Sequence, residues 1–413
     1  MREATGERDD VAGPEAPARL WAFYAGGFLG PFGGAMVTPM LPELAQGLGT
    51  TLSTAAWSLT IYLIPFAAVM LVSGTLGEAW GRARTVRSAY LAYVVASLVC
   101  ALAPTADVFL TGRALQGVAN AFTTPLLVAA ISDAVPRAGL GRALGRYAGL
   151  QAAGQAFAPL VGGAAAAFDY RWAFVVSALA ALGLACVPPR DPAPRDAPES
   201  GAVTGPGAVT DPAGAPRASR WRALANRRLA LACAVAFGLY LSTSGLLLLV
   251  ALLADDRFGL GPDARGLVVA AFGAAGLATA GVLGRLADRV GLARFGVAAL
   301  VGLAVTTAVA GSVPAVWLLA VVVAFGGAAS TAARVVVNTL AVTSTPANRG
   351  GATSMMLSWQ FLGSALAPPA FLPVYNGDGR LSLVVAATGS LAAAVLLGIT
   401  SALRRAGDSA TPD

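Results

Sequence analysis

Gly74-Thr75-Leu76-Gly77-Glu78-Ala79-Trp80-Gly81-Arg82-Ala83-Arg84 closes one long charge-free run of this chain. Gly284-Arg285-Leu286-Ala287-Asp288-Arg289-Val290-Gly291-Leu292-Ala293-Arg294 closes another. Both read Gly, Leu two residues on, an acid, Gly three after the acid, then Arg. The copies stand 210 residues apart, about half of the 413-residue chain. A motif that returns after half a chain, each time at the end of an apolar run, implies two repeats built around a shared centre, as in secondary transporters.

The composition agrees with a membrane setting. Only 12% of residues are charged and 56% are hydrophobic, against about 25% charged in soluble domains. Charge-free runs occupy residues 20–42, 44–77, 88–106, 114–132, 147–168, 172–189, 229–254, 266–284, 295–333, 350–377 and 381–403. About 20 apolar residues at 1.5 Å each cross a bilayer. Ten runs therefore hold one span apiece. The run 295–333 is nearly twice too long and carries the turn signal Gly311-Ser312-Val313-Pro314, so it divides there. Twelve spans result, numbered 1 to 12 in chain order, and an all-α membrane protein of two six-helix bundles is expected.

All 28 basic residues are Arg, with no Lys and no His. That excludes a GxxxxGK[ST] phosphate loop, a Lys Schiff base and His-based catalysis. An enzyme is not expected, nor a metal or organic cofactor. Cys100, Cys186 and Cys233 each sit in an apolar run and read as packing residues.

The arginines also set an orientation. Counting loops alternately, 22 fall on one side and 4 on the other (Arg171, Arg257, Arg265 and Arg380), while Arg113 and Arg334 lie within spans. The positive-inside rule makes the rich side cytoplasmic, with both termini there. The expected location is a bacterial inner membrane, and the net charge of +7 calls for no nucleic-acid partner. Residues 1–18 are polar, expected to be disordered, and no cleaved signal is expected ahead of span 1. Two bundles, 19–189 and 228–405, flank a Pro/Gly/Ala-rich linker at 190–227, and a tail occupies 406–413.

Further matches accumulate along the chain. Thr38-Pro39-Met40-Leu41-Pro42 ends span 1. Arg113-Ala114-Leu115-Gln116-Gly117 lies in span 4. Gly154-Gln155-Ala156-Phe157-Ala158-Pro159-Leu160-Val161-Gly162-Gly163 lies in span 5. With the repeated loop, these residues resemble the major facilitator superfamily, and within it the drug:proton antiporter-like branch, over about residues 20–405. The chain departs from the family pattern at Glu78, where the family has Asp, at Ala79 and Ala83, at Ala158, where Gly is usual, and at Leu292 and Ala293. The resemblance implies that Arg82 meets Asp133 at the end of span 4, and that Glu78 faces the start of span 11 near Gly350-Gly351-Ala352. A helix N-terminus carries roughly half a positive charge. Glu78, Arg82 and Asp133, with Asp288 in the second copy, are therefore the candidate gate or latch.

In span 5, Gly154, Ala158 and Gly162 recur at every fourth position, with Pro159 and Gly163 beside them; span 8 offers Gly276, Ala280 and Gly284. Small faces allow close helix approach in lipid, and the two are expected to meet between the halves. In span 4, Arg113, Gln116 and Asn120 form a polar stripe, followed by Thr123 and Thr124. Such a stripe faces protein or a water-filled hollow. Two readings stand: a wall of the substrate cavity, or a structural Arg bonded to carbonyls of span 1. Arg334, Asn338, Tyr240, Trp359 and Gln360 complete the candidate cavity, with Tyr24, Tyr62 and Gln151 in reserve. No Asp or Glu lies in a span interior. This points to a neutral or anionic amphipathic substrate and leaves Glu78, Asp133 and Glu43 as candidate proton carriers. The expectation is an exporter working by alternating access against proton entry, as a monomer; an uncoupled facilitator or importer is the alternative.

Overall fold

The computed structural model describes residues 16–135, 137–187, 226–345 and 349–409. Every regular element among them is helical. Span 1 is Ala16–Ala35, a 3-10 turn at Thr38–Met40, and Leu41–Gly47. Spans 2 and 3 are Leu52–Ala79 and Arg82–Leu102. Span 4 is Ala106–Ala121 continued by Thr123–Ala134, span 5 is Arg137–Ala166 and span 6 is Arg171–Ala185. In the second bundle, spans 7 to 12 are Arg227–Asp256, Pro262–Val290, Leu292–Ala310, Val316–Ser344, Arg349–Tyr375 and Gly379–Ser409. The run 295–333 does break at residues 311–315, as its turn signal implies. The proposed disordered segment loses Ala16 and its neighbours to span 1. Residues 1–15, 190–225 and 410–413, where most of the terminal and linker readings fall, lie outside the described residues.

Among the described residues, nine of the spans are long and apolar enough to cross a membrane by length and composition. The other three are spans 5, 6 and 11. Span 6 is described for 15 residues only. Span 5 mixes Gln151 and Gln155 with many glycines, and span 11 carries Ser354, Ser358, Gln360, Ser364 and three prolines. Of these three, spans 5 and 11 lie against the opposite bundle, span 5 along span 8 and span 11 along span 2. A helix face turned to protein has no need of lipid-like side chains. Trp21 and Trp80 are exposed at the arginine-rich ends of their spans, Trp172 and Trp317 at the arginine-poor ends, as in an interfacial aromatic belt.

Helix starts are locally encoded. Thr51, Thr105 and Asn226 each accept a hydrogen bond from the backbone N–H three residues on, satisfying a donor with no intrahelical partner. Pro39 and Pro42 each occupy a first turn, where a missing N–H costs nothing.

The duplication visible in the loops extends to the backbone. The described residues with positive φ are four glycines that form two pairs: Gly81 and Gly291, both at 91°, and Gly49 and Gly259, at 59° and 60°. Each pair is 210 residues apart. The close helix crossings repeat too. A Cβ on Gly117 of span 4 would overlap the Tyr62 carbonyl oxygen of span 2, and one on Gly327 of span 10 would overlap that of Phe272 of span 8. Both residues shift by 210. Gly154 against Phe28 and Gly363 against Phe237 follow the same rule with a shift of 209. The glycines recur because backbone meets backbone there.

Gly117→Ala and Gly327→Ala should therefore be equivalent lesions. Overpacking of this kind costs about 1–3 kcal/mol. Thermal unfolding in detergent should fall for both by similar amounts; an unchanged midpoint for either would contradict the crossing.

Candidate functional site at the seam between the halves

The two bundles touch along a seam that is tight on one side and loose on the other. At the arginine-poor side, a Cβ on Gly163 of span 5 would meet the Pro262 carbonyl and, at 3.1 Å, the Gly266 Cα of span 8. One on Gly266 would overlap the Pro159 carbonyl, and one on Gly273 would overlap Ala156. Farther toward the arginine-rich side of the same helices, Gly145, Gly149, Gly281 and Gly284 have nothing within 4 Å of such a position. The halves are thus closed at the arginine-poor face and diverge toward the other.

This corrects the expected seam. Gly154 and Gly162 do not face span 8; they press on the Phe28 and Met36 carbonyls of span 1, within their own bundle. Ala158 is fully buried. Gly276 of span 8 meets Thr331 and Gly327 of span 10. The inter-bundle face of span 5 is Ala156, Pro159 and Gly163, a short rotation round the helix from the stripe read in the sequence. Two small faces exist on one helix, and spacing alone does not say which neighbour takes which.

Spans 2 and 11 make the second part of the seam. Pro369 has no N–H, so it leaves the Ala365 carbonyl without its helical donor. The Thr60 hydroxyl of span 2 donates to that oxygen at 2.6 Å. One turn and a half deeper, Phe66 and Phe361 meet edge to face at 4.6 Å. Pro125 creates the same vacancy at Ala121 in span 4, and Ser73 of span 2 donates to it at 2.7 Å.

Charge closes the arginine-poor face. The 3-10 turn at Thr38–Met40 redirects span 1 so that Glu43 lies over the second bundle. There Arg265 of span 8, wholly buried, donates to the Glu43 carboxylate and stands 3.2 Å from Asp255 of span 7. Next to it, the Tyr375 hydroxyl donates to Asp256 at 2.5 Å. The sequence offers Glu43 as a span-end acid and candidate proton carrier, and Arg265 as a loop arginine. Their partnership spans 222 residues, and no local signal announces it.

At the opposite face Arg82 unites the expected latch. It donates to Asp133 at 2.7 Å and to Glu78 at 2.7 and 3.0 Å. Arg82 is nearly buried and both acids are half exposed. These bonds tie spans 2, 3 and 4 of the first bundle. The side chain of Asp288 lies outside the described residues.

The span 4 stripe sits elsewhere than the cavity reading placed it. Arg113 and Gln116 are wholly buried and Asn120 nearly so. Arg113 donates to the Gly33 carbonyl of span 1 at 3.1 Å, to the Ser58 carbonyl of span 2 at 3.4 Å and to Gln116 at 2.7 Å, and it lies 4.3 Å over the Tyr62 ring. Gln116 donates to Ser97 of span 3, and Asn120 to Gly30 and Tyr62. In this conformation the stripe is a polar knot inside the first bundle, and the wall reading is corrected in favour of the carbonyl-bonded one. The reason is reach: a long guanidinium finds carbonyls of two neighbouring helices before it finds the hollow.

Arg334 does reach across. It is half-buried, and its guanidinium lies 3.5 Å from the Gln155 side-chain oxygen of span 5. Asn338, one turn along, is exposed. Gln151 and Tyr240 are half-buried, Trp359 is partly exposed with its edge toward Phe237 at 6.0 Å, and Gln360 and Tyr24 are buried. Gln155 was missed as a site residue because it was read as part of a packing motif.

A two-bundle fold with this repeat can be compared with known proteins. The family model described as Major Facilitator Superfamily matches residues 23–261 and 232–412. The chain belongs to the major facilitator superfamily. Its fold resembles two solved structures of a bacterial homologue of the human lysosomal transporter Spinster, both inward-facing, one unoccupied and one occupied. The TM-scores are 0.74 and 0.75 at 16% identity, covering 95% of this chain and 98% of each of those. The puromycin resistance protein pur8 of Streptomyces alboniger is 32% identical over 175 residues, 41% of this chain and 35% of that protein. A multidrug resistance protein B homologue of Mycobacterium tuberculosis is 30% identical over 148 residues, 35% of this chain and 27% of its own length. The chain thus spans about a third of the length of these curated relatives. It is a multi-pass membrane protein of that superfamily.

Two tests follow. Gly163→Leu and Gly266→Leu drive side-chain carbon into the facing backbone and should each open the arginine-poor face, read as faster labelling of a Thr60→Cys reporter by an impermeant thiol reagent in a background with Cys186 replaced; unchanged labelling would contradict the close approach there. Arg113→Ala should strip partners from buried carbonyls at about 1–3 kcal/mol each. It should lower the detergent unfolding temperature far more than Arg334→Ala does.

Proposed function

We propose that this transporter exports a neutral or anionic amphipathic small molecule, a drug or secondary metabolite, by alternating access. The asymmetric seam carries the reading: closed by Glu43, Arg265, Thr60 and Gly163 at one face and divergent at the other. With the arginine-rich face cytoplasmic, both termini are cytoplasmic, the protein lies in a bacterial inner membrane, and this conformation admits cargo from inside. Resistance proteins among the relatives support export as the direction.

The substrate class rests on charge. Among the described residues, the acids sit at span ends, while Arg334 and Gln155 offer a cation and an amide group between the halves, with the exposed Asn338 one turn from Arg334. A carboxylate or a polar neutral group on an apolar body suits that wall; a lipophilic cation finds no counter-charge. The protein works as a monomer in this reading.

Proton entry is the proposed drive, with Glu43, Glu78 and Asp133 as the acids that can change protonation between the two openings. Protonated Glu43 no longer holds Arg265, which weakens closure of the outer face. The lack of a mid-membrane acid favours a second reading, an uncoupled facilitator or importer of a small metabolite.

Proteoliposomes loaded with a panel of anionic, neutral and cationic compounds decide between them. The proposal expects an imposed proton gradient to drive neutral or anionic compounds uphill, and Glu43→Gln and Asp133→Asn to cut that coupling. Movement down its own gradient that ignores pH assigns the facilitator. Cation transport as fast as that of neutral compounds would overturn the substrate class.

A further inference from the structure

A groove of about 420 Å³ runs between spans 8, 9 and 10 on the second bundle, away from the seam helices of the first. Its floor includes the buried Phe295 with the half-buried Gly302 and Ala329, and Leu286, Ala298 and Phe325 are exposed along it. Thr306 lines it too, but its hydroxyl bonds the Gly302 and Leu303 carbonyls, so the lining stays apolar. From Thr306 to Phe295 the helix advances about 16 Å, close to the ~15 Å depth of one leaflet's hydrocarbon. The volume falls within the roughly 300–1,000 Å³ of sites that hold small organic molecules.

At its arginine-rich end, where span 8 ends and span 9 begins, this groove is flanked by basic residues that do not themselves line it. Arg285, Arg289 and Arg294 are exposed there, and each directly precedes a lining residue: Leu286, Val290 and Phe295. Asp288 is the one acid in that stretch of sequence, so positive charge prevails. An apolar slot one leaflet deep, topped by three arginines, matches a molecule with an acyl tail and an anionic head. We propose that this groove holds an anionic phospholipid of the arginine-rich leaflet, its tail along Gly302 and Ala329 and its phosphate at the three arginines. The site is separate from the cargo path, and it makes the second copy of the repeated loop a lipid contact while the first copy holds the Arg82 latch.

Native mass spectrometry of the full chain, with phosphatidylglycerol and phosphatidylcholine of equal tails, tests it. The wild type should retain phosphatidylglycerol over phosphatidylcholine by roughly a hundredfold, the order that three interfacial arginines supply. The triple variant R285Q/R289Q/R294Q changes exposed positions only and should bring the ratio near one. Ala329→Phe fills the floor and should lower retention of both lipids. Gly302→Leu serves as a second filling variant, since a Cβ there is in ordinary contact with Ala329 at 3.6 Å. A wild-type ratio near one, or a triple variant that keeps its preference, would overturn the proposal. So would a dimer in the wild type that Ala329→Phe converts to monomer, which assigns the groove to a second copy of the chain.

Discussion

Inside a bilayer no water can answer a backbone group that loses its helical partner. This chain places prolines within spans 1, 2, 5 and 11 and at the bend of span 4. Where the consequence is visible, a hydroxyl from another helix repairs it. Ser73 takes the Ala121 carbonyl freed by Pro125, and Thr60 takes the Ala365 carbonyl freed by Pro369. The second repair crosses between the bundles. A local defect in span 11 thereby becomes a bond that exists only while the halves are together at that depth, and separating them leaves an unsatisfied oxygen. A seam held by such a bond, an ion-paired arginine, the Phe66–Phe361 and Arg334–Gln155 contacts and bare backbone approach is firm without being permanent.

The two ends of the molecule use charge differently. At the arginine-poor face Arg265 is enclosed and bonded across the halves, so closure there depends on a pair that must be desolvated each time it forms. At the arginine-rich face Arg82 and its two acids stay within one bundle and partly in solvent. Deep in the first bundle no acid among the described residues pairs with Arg113; carbonyls of spans 1 and 2, Gln116 and the Tyr62 ring surround it. Such a residue binds three helices into one rigid body, which is what rocking of whole bundles requires. The second bundle has Val323 at the equivalent position and packs without a charge.

Much of the architecture was legible beforehand. The bilayer imposes one length and one polarity on every span, so runs without charge read directly as helices, and the Gly311–Pro314 turn separates spans 9 and 10. The meeting of Arg82 with Asp133 came from the family resemblance. The site was less legible. Span 5 carries small residues on more than one face, and Gly154 and Gly162 went to span 1 while Ala156 and Gly163 went to span 8. Arg113 looked like a cavity residue because an intramembrane charge usually marks one; nothing in the spacing says that carbonyls of two neighbours lie within its reach.

Sequence alone determined that this chain crosses the membrane as helices, that it is a duplication with a period of about 210 residues, and that its arginines favour one face. Those properties come from composition and local spacing, which each segment carries by itself. Only the tertiary structure decided that Glu43 meets Arg265, that Thr60 meets Ala365, and which face is shut. Each of those contacts joins residues more than two hundred positions apart, and its existence depends on how two finished bundles lean together rather than on any stretch of either.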